Sequence, residues 1–440
     1  MVVIALSIIF LNRYFYPDFS ATSQILSDLA FGLAERDETV IVITSRQTYE
    51  NSAARLPAHE VINGVKVHRI WTTQFGRSNL LGRAIDYLTF YLSAAWTLLR
   101  QARRGDVVVA KTDPPMLSVV TAPISRVRGA QQINWLQDLF PEVAQALGVG
   151  RGAAGRLVYR VLISLRNWSL RVSACNVVLG ERMRDRLRAL GIPETQLMII
   201  SNWADGQLIR SVPHASNPLR SSWGFADRFV VAYSGNLGRA HEFETFLNAI
   251  ELMEHQSDSI AEPLSEDNPS TEGLELQVAS SSHSITWLFI GSGALYQAFQ
   301  TEVERRRLSN VVFKPYQPRQ DLDKSLSAAD VHLVSLKPEL ECLIVPSKFY
   351  GISAAGRPTV FIGDPDGEVA RLVSRHECGV TVSQGDSKGL ARVLRHLAQD
   401  PARCEEMGRK AERAFSAEYD KPTAVRSWTN LLQSLRREIG

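Results

Sequence analysis

Glycines and cations follow several apolar runs in the second half of the chain, in a pattern that suits the binding of a diphosphate. Glycine turns let backbone N–H groups approach a ligand closely, and arginine or lysine supplies the positive charge that a phosphate needs. Ser347 is predicted to cap a helix that starts at Pro346. The alternatives are that Pro-Ser is only a helix cap, that Lys348 is only solvated, and that the glycines only serve strand-to-helix turns. The residues expected at this site are Gly235, Asn236, Arg239, Gly291, Ser292, Gly293, Pro346, Ser347 and Lys348.

A second set of chemical groups follows apolar runs in the first half. Asp138 stands after the run from Gln131 to Leu136, where its carboxylate can accept the proton of an attacking hydroxyl or orient that hydroxyl. The alternative is that Asp138 caps the next helix or pairs with an arginine. The stretch from Lys111 to Pro115 follows another apolar run and is expected at the same sheet edge, and Glu142 is a weaker candidate.

Metal and disulfide chemistry are not indicated. No His, Asp or Glu cluster in the sequence has metal-ligand spacing, and the four cysteines lie far apart with no C-x-x-C pair. We therefore expect no metal, no cofactor and a reducing, cytoplasmic compartment.

The elements that must position these residues are two series of buried strands that alternate with helices. Each series predicts a parallel sheet flanked by helices, which is a doubly wound, Rossmann-like α/β domain. Since ligands bind at the carboxyl ends of such strands, the two domains are expected to face a central cleft. The predicted strands are 2–10, 39–44, 65–70, 106–110, 131–136, 176–179, 197–201, 229–234, 285–290, 311–314, 331–335, 359–362 and 380–382.

Three segments follow from this pattern. Residues 1–205 are predicted to form the first domain and 206–421 the second, with a flexible insertion at 256–284 that is rich in Ser, Glu, Asp and Pro. The last segment, 422–440, has helical periodicity and is expected to pack back on the first domain.

The charge of the chain is uneven. Residues 1–205 hold 23 Lys and Arg against 16 Asp and Glu, a balance of +7, and the remainder holds 26 against 30, a balance of −4. In the basic half, the uncharged stretch 87–99 precedes three arginines and is too short to span a bilayer as a helix. Its aromatic residues Tyr87, Phe90 and Trp96 are predicted to meet an anionic membrane surface, which the basic stretch 151–171 would extend. The alternative is an ordinary helix packed on a sheet. Nucleic acid is disfavoured, because no recognised binding motif accompanies the arginines.

Over nearly its whole length the sequence resembles glycosyltransferase family 4, whose members are retaining nucleotide-sugar enzymes with the two-domain GT-B fold. The resemblance is closest to the bacterial branch that builds surface polysaccharides or glycolipids. The segments that carry it are 14–23, 135–142, 233–239, 291–293, 345–358 and the pair Gly367-Glu368.

The resemblance implies a division of labour between the domains. The C-terminal domain would bind a nucleotide diphosphate sugar, most often a UDP-sugar, with Glu368 among its contacts. The basic N-terminal domain would bind a lipid-linked or glycan acceptor, often at the inner face of the membrane. Cationic side chains would replace a divalent ion in stabilising the leaving diphosphate, so the transfer would be metal-independent.

The sequence also departs from the family pattern. Ser20 and Ala21 stand where the first loop is usually glycine-glycine. The usual pair of glutamates falls on Leu343 and Gly351, so Glu341 or Glu339 is expected to replace the ribose contact, or the nucleotide is held differently.

The usual arginine and lysine after the first strand of the second domain are Asn236 and His241 here. Arg239 is the nearest replacement for that charge, and His241 is expected at the surface.

Two other functions stay open from the sequence. A sugar-nucleotide 2-epimerase that hydrolyses its substrate shares the architecture, although the acidic and histidine residues it needs in the cleft are not evident. A non-catalytic glycosyltransferase-like subunit would explain the missing glutamate pair.

Overall fold

The computed structural model describes residues 6–49, 51, 53–76, 80–150, 152–258 and 285–437. The strands are β1 (Ser7–Leu11), β2 (Thr39–Ser45), β3 (His59–Ile62), β4 (Val65–Ile70), β5 (Val107–Ala110), β6 (Gln131–Trp135), β7 (Cys175–Val178), β8 (Leu197–Ile199), β9 (Phe229–Asn236), β10 (Ile285–Ser292), β11 (Val311–Lys314), β12 (Val331–Ser335), β13 (Thr359–Gly363) and β14 (Gly379–Ser383). The helices are α1 (Ala21–Ala34), α2 (Leu80–Gln101), α3 (Leu117–Arg128), α4 (Glu142–Ala146), α5 (Ala153–Val172), α6 (Glu181–Ala189), α7 (Pro218–Ser222), α8 (Glu244–Asp258), α9 (Tyr296–Arg305), α10 (Leu322–Ser327), α11 (Lys348–Ala354), α12 (Glu368–Arg375), α13 (Ser387–Gln399), α14 (Pro401–Ala414) and α15 (Lys421–Arg437).

The chain forms two compact units. The first contains the described residues up to Trp203, the segment Leu340–Val345 and the described residues from Glu418 onward. The second contains the described residues of Ala204–Glu339 and Pro346–Ala417. The sequence interpretation assigned 340–345 to the second domain, whereas in the structure this segment belongs to the first unit.

The first unit is built on an eight-stranded sheet of order β3-β4-β2-β1-β5-β6-β7-β8. The paired strands are parallel except for β3, which runs antiparallel to β4 at one edge. Nearly continuous Val and Ile side chains bury both faces of the central strands, as a parallel sheet covered by helices requires. On one face α1 and α15 complete the core, with Trp428 of α15 buried near Phe10 and Trp135.

The second unit is a six-stranded parallel sheet of order β11-β10-β9-β12-β13-β14. Its order reverses at β9, so the carboxyl ends of β9 and β12 flank the point where such sheets bind ligands. The core on one face packs α8, α9 and α13 against the sheet.

The predicted two-domain α/β fold with parallel sheets is confirmed. The antiparallel edge strand β3 was not predicted. The predicted start of the first strand at residue 2 and the predicted insertion at 256–284 fall largely outside the described residues. Within the described part of the chain, no helix combines the length and apolar character needed to cross a membrane.

Candidate active site

The candidate site of the second unit begins at the carboxyl end of β9. Gly235 has a backbone φ of +120°, a region that strongly favours glycine. A Cβ atom at this position would lie 2.9 Å from Cε of Lys348, too close for an ordinary contact. Glycine therefore lets the lysine side chain lie directly against the turn.

Lys348 is the first residue of α11, and its ammonium group is fixed by neighbours from the β9 turn. Its Nζ donates to the carbonyl oxygen of Asn236 at 3.1 Å and to Nε2 of His241 at 3.0 Å. The Nζ also lies 5.1 Å from the centre of the Tyr233 ring. Among the described residues the third N–H of the ammonium has no protein partner, so it is available to a ligand.

His241 orients this lysine. Its Nδ1 lies 2.6 Å from the carbonyl oxygen of Ser335, and since a carbonyl only accepts, Nδ1 carries the hydrogen. The other ring nitrogen, Nε2, then has a free lone pair to accept from Lys348. Burial and the nearby Lys348 charge lower the pKa of His241 to about 3, so the ring is neutral at pH 7. The expectation that His241 is a surface residue is wrong, because only 8% of its surface is exposed.

Burial also weakens the charge of Lys348, since it lowers the pKa of the ammonium to about 7. An anion beside the group would favour the charged form again. The protonation state of Lys348 therefore depends on a neighbouring phosphate, unlike that of an ordinary solvated lysine.

Arg239 lies on the same turn but in a different setting. Its side chain is exposed, and no carboxylate among the described residues pairs with it. Its charge is therefore free to meet a ligand, and it is held in place by the turn alone.

The turn after β10 packs tightly on the turn after β9. Gly291 and Gly293 have φ values of +133° and +143°. A Cβ at Gly291 would lie 2.3 Å from the carbonyl oxygen of Gly235, and one at Gly293 would lie 2.5 Å from the side-chain oxygen of Asn236. The backbone carbonyl oxygen of Ser292 accepts a hydrogen bond from the backbone N–H of Leu237 at 2.8 Å. These glycines are required for the close packing of the two turns, whatever they do for a ligand.

Two expectations about the start of α11 need correction. The helix begins at Lys348 and not at Pro346, which is buried in the preceding segment. The side chain of Ser347 makes no capping hydrogen bond, because its own backbone is already helical with φ −69° and ψ −13°. Lys348 is thus placed by its side-chain partners.

The candidate acceptor residues lie in the first unit, at the carboxyl ends of β5 and β6. Lys111 is only 1% exposed, and its Nζ lies 3.8 Å from the centre of the Trp135 ring and donates to the carbonyl oxygen of Thr22 at 3.1 Å. Burial lowers the pKa of Lys111 to about 7, against the opposing effects of Asp113 and Asp138.

Asp138 lies in the loop after β6, three residues beyond Trp135. Loss of solvent and the like charge of Asp113 raise the pKa of Asp138 to about 6, while Lys111 opposes this. The segment Leu340–Val345 holds the loop in place: Asp138 forms a backbone bridge with Ile344, and Leu139 N–H donates to Leu343 at 2.8 Å. A carboxylate with a pKa near neutrality is suited to take up and release a proton.

Two comparisons relate the sequence to known proteins. Residues 21–203 match the glycosyl transferase 4-like domain. A probable glycosyltransferase of Pseudomonas aeruginosa, WbjE, is 26% identical over 330 residues, which cover 74% of this chain and 75% of the relative. These findings support a glycosyltransferase of the GT4 type.

Solved structures share their fold with almost the whole length of this chain. WaaG, a glycosyltransferase involved in lipopolysaccharide biosynthesis, has a TM-score of 0.68 at 14% identity, over 97% of this chain and 99% of that chain. Anabaena Alr3699/HepE in complex with UDP and glucose has a TM-score of 0.68 at 17% identity, over 98% of this chain and all of that chain. The fold is GT-B.

Other predicted residues of this glycosyltransferase are distributed as follows. Glu368 is buried at the start of α12, after the carboxyl end of β13. Glu341 is buried in the segment that belongs to the first unit, so it lies in a different unit from Lys348. Glu142 forms an ion pair with the buried Arg166, which favours a structural role for this carboxylate.

Gly351, where the resemblance to glycosyltransferase family 4 leads us to expect a glutamate, lies in an apolar setting. A Cβ there would lie 3.6 Å from a methyl group of Leu326 and 3.8 Å from one of Ile209. A carboxylate leaving the helix in this direction would first meet aliphatic side chains. The position is therefore suited to a small residue in this glycosyltransferase.

The basic surface of the first unit contains two exposed apolar stripes. On α2 the exposed apolar residues recur every three or four positions, and on α5 a similar row of residues follows one side of the helix. The opposite side of α2 packs on the sheet through Phe90, which is fully buried and cannot meet a membrane as predicted. The exposed residues are Leu81, Ile85, Leu88, Leu92, Trp96 and Leu99 on α2, and Leu157, Val158, Val161, Leu165, Trp168 and Val172 on α5.

Proposed function

We propose that the protein is a retaining glycosyltransferase. It moves a sugar from a nucleotide diphosphate sugar to a hydroxyl of a lipid-linked or glycan acceptor in the synthesis of a bacterial surface polysaccharide or glycolipid. The observation that carries this proposal is Lys348, held by Asn236 and His241 against a glycine turn at the carboxyl edge of the second sheet.

The donor half of the reaction needs stabilisation of a leaving group. When the bond between sugar and diphosphate breaks, negative charge develops on the phosphate oxygens and positive charge on the sugar ring. Lys348 supplies a preorganised N–H donor and Arg239 a second positive charge. With both in place, we propose that the departing diphosphate is stabilised without a divalent ion.

A UDP-sugar is the proposed donor. The HepE structure with UDP and glucose supports this choice, because it has the same fold over 98% of this chain. The sugar itself is decided by contacts that the fold does not fix.

The acceptor half is assigned to the first unit. Asp138 orients the acceptor hydroxyl or takes its proton, and Lys111 is its buried positive neighbour. We further propose that the apolar stripes of α2 and α5 lie on the cytoplasmic membrane surface, with arginines beside them meeting anionic headgroups. Arg100 lies over the exposed Trp96 ring at 4.3 Å, a pairing suited to such an interface.

The test is a panel of UDP-, GDP-, ADP- and dTDP-sugars with a bacterial lipid extract and a chelator. We expect one donor to raise the melting temperature of the protein and its sugar to appear on lipid with the anomeric configuration retained, read by NMR. Free sugar without lipid product would favour the epimerase. A product of inverted configuration, or transfer abolished by the chelator, would contradict the retaining or the metal-independent part of the proposal.

A non-catalytic subunit is the second candidate, and Gly351 favours it. The nearest neighbours of this position are aliphatic side chains, which are unfavourable surroundings for the usual acidic contact to the nucleotide from α11. In that case a nucleotide sugar would bind and stabilise the protein, but no sugar would be transferred to any acceptor in the extract.

A further inference from the structure

Two histidines face each other across the antiparallel strands at the edge of the first sheet. His59 of β3 is the direct cross-strand partner of His68 of β4. Their Nδ1 atoms are 3.1 Å apart, and the ring planes are inclined at 77°. Without a further group, this contact requires one Nδ1 to donate a hydrogen and the other to accept it.

The same separation fits two ligands of one metal ion. With metal–nitrogen bonds of about 2.0–2.1 Å, as imidazole forms with zinc, nitrogens 3.1 Å apart subtend an angle of about 100° at the metal. This value lies between the right angle of octahedral coordination and the wider angle of tetrahedral coordination. The distance between the two Nδ1 atoms therefore matches that of two ligands on one cation.

The surroundings permit such a site. His59 is exposed and His68 half-buried, so a cation can reach both nitrogens and water can complete its coordination. Lys66 opposes the approach of a cation, and within the described residues no group of three or more His, Cys, Asp or Glu could hold a metal. Affinity must therefore come from the two imidazoles.

We propose that His59 and His68 form a two-histidine binding site for a divalent transition-metal ion, which cross-links the edge strand β3 to β4. The site lies beyond β2 and β1 from the candidate acceptor residues after β5, so it is separate from the proposed transfer reaction. Copper(II) should bind most tightly among the common first-row ions and zinc less tightly, following the usual order for nitrogen ligands.

The test uses the full-length protein, freed of metal, and titration with Cu²⁺ alone and Zn²⁺ alone by calorimetry. We expect one equivalent of Cu²⁺ to bind and to raise the melting temperature, since the two imidazoles are held together only in the folded hairpin. His59→Gln and His68→Gln should each weaken this binding at least tenfold, because even loss of an outer-shell partner lowers affinity about 10- to 100-fold.

Two controls make the result specific. His396→Gln removes an exposed histidine on α13 and should leave Cu²⁺ binding unchanged. Electron paramagnetic resonance of the bound Cu²⁺ should show coupling to two imidazole nitrogens in the wild type and to fewer in each single variant. The proposal is overturned if the wild type takes up no Cu²⁺, or if His59→Gln and His68→Gln bind it as the wild type does.

Discussion

Lys348 differs from a solvated lysine in two respects. Its position is fixed by two hydrogen bonds, and its pKa is lowered to about 7 by burial. Fixed donors aimed at developing charge contribute roughly 3–4 kcal/mol to transition-state stabilisation, because they need no reorganisation during the reaction. The lysine can therefore account for a substantial part of the catalysis.

Removal of either proposed cation should reduce turnover. We expect Lys348→Ala and Arg239→Ala each to lower kcat about 100-fold or more, with melting temperatures close to wild type. The matched controls are Lys388→Ala and Arg392→Ala, which remove exposed cations on α13. If both site variants turn over near the wild-type rate, Lys348 and Arg239 do not stabilise the leaving diphosphate.

The lowered pKa of Lys348 predicts how donor binding depends on pH. As the pH rises through about 7 the free enzyme loses the ammonium charge, so kcat/KM for the donor should fall. The diphosphate of a nucleotide sugar does not titrate near neutral pH, so the change reports the protein. Lys348→Met should flatten this part of the profile, and a profile unchanged by that substitution would assign the titration to another group.

The lowered pKa of Lys348 also predicts how the stability of the protein depends on pH. Between pH 7 and the ordinary lysine range the unfolded chain binds more protons than the folded one, so this group makes stability rise with pH. Donor affinity and stability should therefore change in opposite directions, which separates the two effects in one set of measurements.

His241 should act through Lys348. His241→Ala removes the acceptor for the ammonium, so we expect kcat to fall about 10- to 100-fold through misplacement of the charge. His241→Gln can accept from Lys348 with its side-chain oxygen and donate to Ser335, so it should recover part of the activity. If His241 positions Lys348, the midpoint of the pH profile of kcat/KM should shift in the alanine variant. If both variants lose the same activity and the midpoint does not shift, His241 has only a structural role.

At the scale of elements, α11 contains a glycine that the fold does not require. The Cβ site of Gly351 has only ordinary contacts of 3.6 Å and 3.8 Å, and its φ is not positive. We expect Gly351→Ala to raise the free energy of unfolding by about 0.5–1 kcal/mol, because alanine is the better helix former and restricts the unfolded chain. Chemical denaturation measures this.

Gly408 of α14 is the matched control in a second helix. A Cβ there would lie 2.3 Å from the carbonyl oxygen of Gly356, so Gly408→Ala should destabilise the protein. If Gly351→Ala is also destabilising, the helix is packed more tightly at this position than the structure has it.

The sequence predicted elements better than it predicted contacts. Apolar runs located every parallel strand of both sheets, because buried parallel strands require continuous apolar residues. The pattern missed β3, whose alternate exposure and short length resemble a loop. Sequence spacing brought out Gly235, Asn236 and Lys348, but it could not reveal that His241 is buried against Lys348, since that contact depends on tertiary packing.

Lys111 is a residue whose importance the sequence could indicate. A lysine directly after the four buried residues of β5 is unusual, because a buried charge needs partners. The sequence could indicate that it matters, but Trp135 and Thr22 as its neighbours come from elements distant in the chain.

At the scale of the molecule, the positive balance of residues 1–205 coincides with the exposed apolar stripes of α2 and α5. An ordinary surface helix exposes its polar face, whereas α2 is apolar on both its sheet-facing and its exposed side. Burial of the exposed stripes in a lipid surface would remove the cost of their exposure, and the arginines would add attraction to anionic lipid.

Substitution of Leu88, Leu92 and Trp96 by serine should therefore release the protein from phosphatidylglycerol vesicles in a flotation assay. These side chains are exposed, so the fold should survive. Wild-type binding should weaken with added salt, because part of the attraction is electrostatic.

The control for this substitution changes the same number of exposed apolar side chains elsewhere, namely Val61, Met198 and Leu208 to serine. This variant should bind vesicles as the wild type does. If the α2 variant also stays bound, the stripe is not the membrane contact. If both variants are released, binding depends on general hydrophobicity, and the arginines beside α2 and α5 have no special part in it.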